Sequence, residues 1–467
     1  MSVGNRTAQF ADIPGFRGEI LAHGGRGYPE ARQIFNMRSD TVNPSLILKP
    51  KDEADVAHVM KLAASLKQPV GLRSGGHNVD GTAMIAPVVL DLRNLRDTHV
   101  DTERRRIKVG AGIMLCDLDA LCQEHRLIVP TGTVGATGVV GLTLGGGIGF
   151  KMRQHGATVD NLVRCRVVTA QGEIVTASAE ENPDLFWALR GAGANFGVVT
   201  ELEFQAHPFN PMANVGRLIF PGNEYADVML KLGAFMEDAP REIGLVAALT
   251  RPPQFMGLPS RDPVLMFVVV TTGDPTDFES YMSTLASFGT AVVQEIEQMP
   301  WSQANTMLEA GAPTGLRAFT RGGYFGKPDR STFEALHRRG LESPDPTGVH
   351  AFALALTYFG GAITEDFDED AMAFSRENGT ALLEIISIWE SRDLDQQALN
   401  WVDKTIEAVR SDILPNGYIN LTCDNSPEWV RQIYGKTSKY ERLVAAKAKW
   451  DPDNLLRFNR NILPALT

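Results

Sequence analysis

The sequence predicts an α+β protein of two domains, and three observations carry that expectation. The chain has 467 residues, more than one hydrophobic core usually spans, so two domains are expected. Across residues 45–92 the patterns run strand, helix, strand, loop, strand. From about residue 208 the texture changes to longer alternating strands and longer helices. A first domain is therefore expected over residues 1–207, with its core from about 40, and a second over 208–415. Residues 416–467 are expected to return to the first domain, because Asn420 and Asn459 sit in polar patches flanked by apolar residues.

Each element has its own justification. Residues 52–67 predict a helix, since Val56, Val59, Met60, Ala63 and Ala64 recur at the spacing of one apolar face. Short strand-like runs flank it at 45–48 and 68–72, and 88–92 returns as a strand. Residues 107–109 predict a strand and 114–125 a helix. Next comes a glycine-rich stretch over 131–149, expected as a loop. A hairpin follows, in which Val163, Cys165 and Val167 alternate with Arg164 and Arg166 ahead of a Gln171-Gly172 turn. Asn182-Pro183 opens a short helix, Gly191 to Gly197 ends it, and 198–204 predicts a strand. In the second domain, strands are expected at 264–272, 350–358 and 382–389, and helices at 276–288, 394–411 and 438–449.

Composition excludes several classes. Hydrophobic content of 43% and charged content of 22% suit an ordinary globular protein, while the 44 glycines exceed the usual share of roughly 7% and concentrate in loops. A net charge of −11 and a pI near 5.4 disfavour nucleic acid and anionic membranes as partners. The basic run Arg104-Arg105-Arg106 sits in a polar turn and predicts a solvated hairpin tip. Cys116, Cys122, Cys165 and Cys423 have no spacing that suits a zinc site or a disulfide framework, and no metal is expected. With no apolar leader pattern and no run long enough to span a bilayer, a cytoplasmic protein is expected.

Two loops carry the functional signal. Arg73-Ser74-Gly75-Gly76-His77-Asn78 follows a strand, and the 131–149 stretch holds Gly132, Gly135, Gly138, Gly141, Gly145, Gly146, Gly147 and Gly149. Glycine lets backbone N–H groups approach a pyrophosphate where a Cβ would obstruct them. The second loop is a surface of backbone donors, suited to a flat aromatic ring and a diphosphate. The dinucleotide fingerprint is excluded, because Gly191-x-Gly193 follows a helix and precedes a strand, and Gly145 to Gly149 lacks the preceding tight turn. The Gly-Lys-Ser/Thr of a P-loop is absent.

These blocks resemble the vanillyl-alcohol-oxidase (p-cresol methylhydroxylase, PCMH-type) flavoproteins, in their berberine-bridge-enzyme-like branch of FAD-linked oxidases. The resemblance lies in Arg73-Ser74-Gly75-Gly76-His77, in Gly138 to Gly149, and in Asp184-Leu185-Phe186-Trp187-Ala188-Leu189-Arg190-Gly191 with Phe196-Gly197-Val198-Val199-Thr200. It continues in the tail through Tyr418-Ile419-Asn420, Trp450-Asp451-Pro452-Asp453-Asn454 and Phe458-Asn459-Arg460-Asn461-Ile462, and it covers roughly half of the chain. It implies a two-subdomain FAD-binding domain, a closing C-terminal segment, and a substrate domain whose antiparallel sheet is covered by helices. Residues expected at FAD are Arg73, Ser74, Gly75, Gly76, His77, Asn78, Thr133, Val134, Gly138, Gly141, Leu142, Gly146, Gly147, Ile148, Val199, Tyr418, Asn420 and Asn459. His77 falls where this branch bonds the flavin 8α-methyl. Val134 falls where bicovalent relatives carry a cysteine, so a single histidyl link is expected.

The resemblance further implies an FAD-dependent oxidoreductase that oxidises a C–OH or C–N bond of a small organic substrate with O2 as acceptor. Hydride removal usually needs a base near the O–H or N–H, and Tyr358, Glu384 and Tyr418 are the candidates. Two other readings stay open at this point: a tailoring enzyme of secondary metabolism performing cyclisation or oxygenation, and a flavin-binding protein without turnover. A dehydrogenase with a protein or quinone acceptor also fits.

Overall fold

The computed structural model describes residues 3–251, 262–344 and 349–465. Its first sheet joins β1 (Glu19–Ala22), β2 (Leu46–Lys49), β3 (Gly71–Arg73) and β4 (Val88–Asp91) in the order β1-β2-β4-β3. Strands β2 and β3 both run parallel to β4, and parallel strands need a crossover. Helix α1 (Glu53–Leu66) supplies it: Val56, Val59, Met60 and Ala63 are fully buried along one stripe. The Asp52 carboxylate caps its start by accepting the Asp55 N–H at 3.1 Å, and Lys67 ends it at φ 47°.

The second sheet is antiparallel throughout. It runs β5-β6-β9-β7-β8 from β5 (Thr98–Asp101), β6 (Arg106–Gly110), β7 (Leu162–Val168), β8 (Ile174–Ser178) and β9 (Val198–Gln205). Arg104 and Arg105 form the exposed tip between β5 and β6, with Arg105 in the left-handed region. Between the strands lie α2 (Leu115–Glu124), α3 (Val139–Leu144) and α4 (Pro183–Ala192). Helix α3 corrects the expectation of a continuous loop over 131–149. Gly138 and Gly145 bracket an apolar hexamer whose Val139, Val140, Thr143 and Leu144 are buried, and Thr143 Oγ1 donates back to the Val139 carbonyl at 2.7 Å.

The second domain carries seven antiparallel strands: β10 (Met212–Pro221), β11 (Gly244–Thr250), β12 (Val264–Thr271), β13 (Val293–Pro300), β14 (Arg317–Phe325), β15 (Val349–Tyr358) and β16 (Ala381–Trp389). Their order is β13-β10-β12-β11-β15-β16-β14. Side chains alternate between the two faces. One face packs under α5 (Tyr225–Asp238), α6 (Pro275–Ala286), α8 (Arg330–Leu341) and α9 (Asp395–Ala408), through Leu232, Phe278, Leu336 and Trp401. The short α7 (Trp301–Asn305) sits on the other face, where Val215, Val268 and Val270 meet Ile128 and Phe150 of the first domain.

The C-terminal segment docks on the first domain. Leu443, Trp450, Leu455 and Ile462 share one core with both of its sheets, and the helices α10 (Pro427–Gln432) and α11 (Thr437–Trp450) frame the return. A buried ion pair holds the end of α11: Lys447 Nζ lies 2.7 Å from Asp451 Oδ2, both side chains fully buried. Lys447 also donates to the Asn195 and Leu456 carbonyls at 2.8 and 3.1 Å, and Asp451 accepts the Leu455 and Leu456 N–H groups. Among the described residues no helix is long and apolar enough to cross a membrane, and no group of side chains is arranged to hold a metal ion.

Removing one partner of such a pair leaves an uncompensated buried charge. Lys447→Met is expected to lower unfolding free energy by about 3–5 kcal/mol, read as a shift in the denaturation midpoint. A change under about 1 kcal/mol, the worth of a surface pair, would contradict the strut.

Candidate active site

The two glycine loops touch. A Cβ on Gly75 would stand 2.4 Å from the Gly138 nitrogen, and one on Gly138 would stand 2.4 Å from the Gly75 nitrogen. Only two residues without side chains permit this approach. Above the junction lies a cavity of about 340 Å³, walled by residues 73–78, by the second loop, by 192–195, and by 418–421, 456 and 458–460 of the tail. Glu384 and Ile386 of β16 form its roof from the second domain.

His77 lines this cavity. Its ring stacks on Phe35 at 4.0 Å between centroids, and Nε2 is buried without a partner among the described residues. Burial pulls its pKa down to about 4, so near neutral pH the imidazole is uncharged and its nitrogen lone pair is available. Neighbouring side chains shape the loop. Arg73 donates to the Ala31 and Gln33 carbonyls and lies 3.8 Å from Asp91, so its guanidinium braces the chain while its backbone lines the cavity. Ser74 Oγ donates to the Ala111 carbonyl at 2.7 Å. Asn78 donates to Asp80 and Thr82, and its Oδ1 is buried without a partner, as is Oδ1 of Asn459.

Tyr418 and Glu384 come together on the cavity. The Tyr418 hydroxyl oxygen accepts from the Ile148 N–H at 3.3 Å and from Asn420 Nδ2 at 3.0 Å, which leaves its O–H free to donate. Burial pushes its pKa up to about 12. Asn420 Nδ2 also donates to the Leu142 carbonyl at 2.9 Å. Glu384 sits between Gly322 and Ala355 on its neighbouring strands. Burial alone raises its carboxyl pKa to about 7.

Most of the residues singled out from sequence line this cavity, including Thr133, Val134, Gly138, Gly141, Leu142 and Ile148. Tyr358, Gly146, Gly147 and Val199 do not. Tyr358 pairs with Ala381, three positions from Glu384, so strand alternation turns it to the helix-covered face. There it packs in the core beneath α5, and its phenol is buried without a partner. Gly146 and Gly147 have φ of 120° and 86°, and their missing side chains admit the Phe374 ring and Thr158 rather than the cavity contents. Val199 is buried in the core of the second sheet. Sequence reasoning missed Phe35, Ala312, Asn195 and Arg460 as wall residues. Arg460 stood inside a recognised block and Asn195 between the two halves of another, but nothing local marked Phe35 or Ala312.

An FAD binding domain family model matches residues 44–178, and a berberine and berberine-like model matches 417–463. These two segments contribute the loops and the tail that enclose the cavity. The chain thus carries an FAD binding domain and a berberine-like segment, and the relatives it matches are FAD-linked oxidoreductases. An FAD-linked oxidoreductase of Dictyostelium discoideum is 29% identical over 445 residues, spanning 94% of each chain. The solved 6-hydroxy-D-nicotine oxidase of Arthrobacter nicotinovorans superposes with a TM-score of 0.85 at 25% identity, covering 96% of this chain and 98% of that one. The glucooligosaccharide oxidase of Acremonium strictum, whose FAD is 6-S-cysteinyl and 8α-N1-histidyl, has the same fold at 19% identity, with a TM-score of 0.86 and full coverage of both chains.

The cavity suits the cofactor of these berberine-bridge-enzyme-like oxidoreductases. Its floor is backbone, and unpartnered buried atoms on His77, Asn78 and Asn459 await a polar ligand. The loop contact leaves no room for a side chain. Gly138→Val drives a side chain into the Gly75 backbone, which cannot yield as a flexible side chain would. The purified variant is expected to keep less than about a tenth of the wild-type flavin per chain, since a misfit of this size costs 1–3 kcal/mol or more, with absorbance ratios as the readout. Full flavin content would show that the loops need not touch.

Proposed function

We propose that this oxidoreductase is an oxidase carrying FAD on His77 alone and oxidising a C–OH or C–N bond of a small organic substrate, with O2 as the acceptor. Bound FAD supplies the hydride acceptor. The observation that carries the proposal is Glu384: a carboxyl on an apolar roof, held near pKa 7 by burial, with no hydrogen bond or ion pair to another described residue. Such a group takes a proton from a substrate O–H or N–H as hydride leaves the adjacent carbon. Tyr418 gives its free O–H to the substrate heteroatom and orients it against Glu384. The similarity to a 6-hydroxy-D-nicotine oxidase supports oxidase chemistry.

His77 is assigned the covalent link on the character of its imidazole, which is neutral, buried at Nε2 and held rigid by Phe35. A histidyl flavin occurs in the glucooligosaccharide oxidase of the same fold. Val134 lines the cavity without sulfur, so the cysteinyl link of that oxidase has no counterpart at this position. Cys116 packs beside Gly135 but is exposed and lies off the cavity lining. We further assign residues 1–207 to FAD, 208–415 to substrate, and 416–467 to closure over the cofactor.

Anaerobic mixing with a panel of primary alcohols, aldoses and secondary amines, followed by flavin bleaching, tests the proposal, and failure of the whole panel would contradict it. With the fastest panel member, kcat/KM should rise as pH rises through about 7, because the base works only when ionised. Glu384→Gln should abolish that limb and slow reduction about 10²–10⁴-fold; an unchanged limb would remove Glu384 from the role. After acid precipitation, flavin should stay with the wild-type pellet and appear in the supernatant of His77→Ala. Release from both would refute the tether.

A further inference from the structure

Arg376 has no part in the chemistry above, yet it is among the most deeply buried side chains of the protein. It belongs to the connection between β15 and β16, in the second domain, and its guanidinium crosses to the first. There it forms a two-pronged ion pair with Asp160, Nη1 to Oδ2 at 2.7 Å and Nη2 to Oδ1 at 2.9 Å. The rings of Phe367 and Phe374 flank it at 4.0 and 5.3 Å. A charge pair in such surroundings is costly unless its geometry is well matched, which raises the question of what it holds.

The contacts of Asp160 answer it. Its Oδ2 accepts the Ala157 N–H at 2.7 Å, fixing the turn that follows the second glycine loop. That turn grips the loop: the Thr158 N–H donates to the Gly147 carbonyl at 2.9 Å, and the Val159 N–H to the Gly146 carbonyl at 2.8 Å. The next residue, Ile148, directs its N–H to the Tyr418 hydroxyl. A second line runs through Phe374, two residues before Arg376. Its ring fills the space over Gly146, and it meets the Tyr418 ring edge-on at 6.1 Å. Both lines start at the 359–380 connection and end on one phenol.

We propose that Arg376 is a positioning residue: its ion pair with Asp160 sets the 146–148 backbone that aims the Tyr418 hydroxyl at the substrate. The proposal rests on the role given to Tyr418 above. Arginine is required because two parallel N–H donors match the carboxylate, whereas lysine offers a single point charge and leaves the Ala157 N–H as the main restraint on Asp160. Gly146 and Gly147, both at positive φ, have no side chains of their own to hold the loop in place.

The test is a double-mutant cycle on the flavin-loaded enzyme, combining Arg376→Lys with Tyr418→Phe. Two readouts are taken: amide hydrogen exchange by mass spectrometry, and anaerobic flavin reduction by the fastest alcohol or amine of the panel. Arg376→Lys should speed exchange in residues 144–159 by about tenfold, the size of a locally lost restraint, and leave α9 unchanged. It should lower the maximal reduction rate about tenfold, with apparent substrate affinity within about twofold, as expected for lost orientation. In the Tyr418→Phe background the same change should add less than about twofold, because residues acting in series are not additive.

A full tenfold loss in that background, or unaltered exchange in 144–159, would overturn the proposal. If Tyr418→Phe slows reduction and Arg376→Lys does not, the proposal fails while the role of Tyr418 stands; if Tyr418→Phe is silent, both fall. Asp160→Asn preserves shape and carries the same cycle should the lysine variant not fold.

Discussion

The site depends on one constraint: the 131–149 segment has too few side chains to fix its own shape. Glycine backbone is free to adopt many conformations, so the surface offered to the cofactor must be imposed from outside. Three distant segments do this. Asn305 of α7 donates to Asp119, to Thr131 Oγ1 and to the Gly132 carbonyl at 2.7, 3.1 and 3.0 Å, and Glu309 accepts the Gly135 N–H at 3.1 Å. Asn420 holds the Leu142 carbonyl. Phe374 and the Arg376–Asp160 pair hold the far end.

The two-domain construction follows from this. The second domain is more than a lid bearing Glu384, because its loops pin both ends of the cofactor-binding segment and its sheet supplies the roof. The closing segment likewise has two duties: its helices complete the first core, while the turn at 418–421 enters the cavity. Where α4 ends, Gly191 at φ 128° brings the first domain against the Phe374 backbone so closely that a Cβ there would lie 2.0 Å from the Phe374 nitrogen. The packing of the two domains and the shape of the site therefore share this seam, and a cofactor that binds only the folded chain adds to its stability.

Much of this was legible in the sequence, for identifiable reasons. The α1 helix announced itself through its apolar period, and the loop at 73–78 through its paired glycines and single imidazole. The cavity wall was legible where function is written in backbone, as at Gly138 and Gly141. Glycine is ambiguous, however: Gly146 and Gly147 are present because Phe374 and Thr158 press on them, and no local pattern distinguishes that need from closeness to a ligand. Tyr358 and Glu384 looked alike as polar residues in apolar strands. Only the register, Ala355 opposite Glu384 and Ala381 opposite Tyr358, sends them to opposite faces. Phe35 and the Arg376–Asp160 pair were invisible because their partners lie 42 and 216 positions away.

On the reading proposed above, the two loops hold a flavin tethered only at His77. Proteolysis of the purified holoprotein and peptide mass mapping tests it directly. The peptide containing residues 73–78 is expected to carry the added mass of the flavin on His77, and the peptides containing Val134 and Cys116 to be unmodified. Flavin mass on another peptide, or on none, would contradict it.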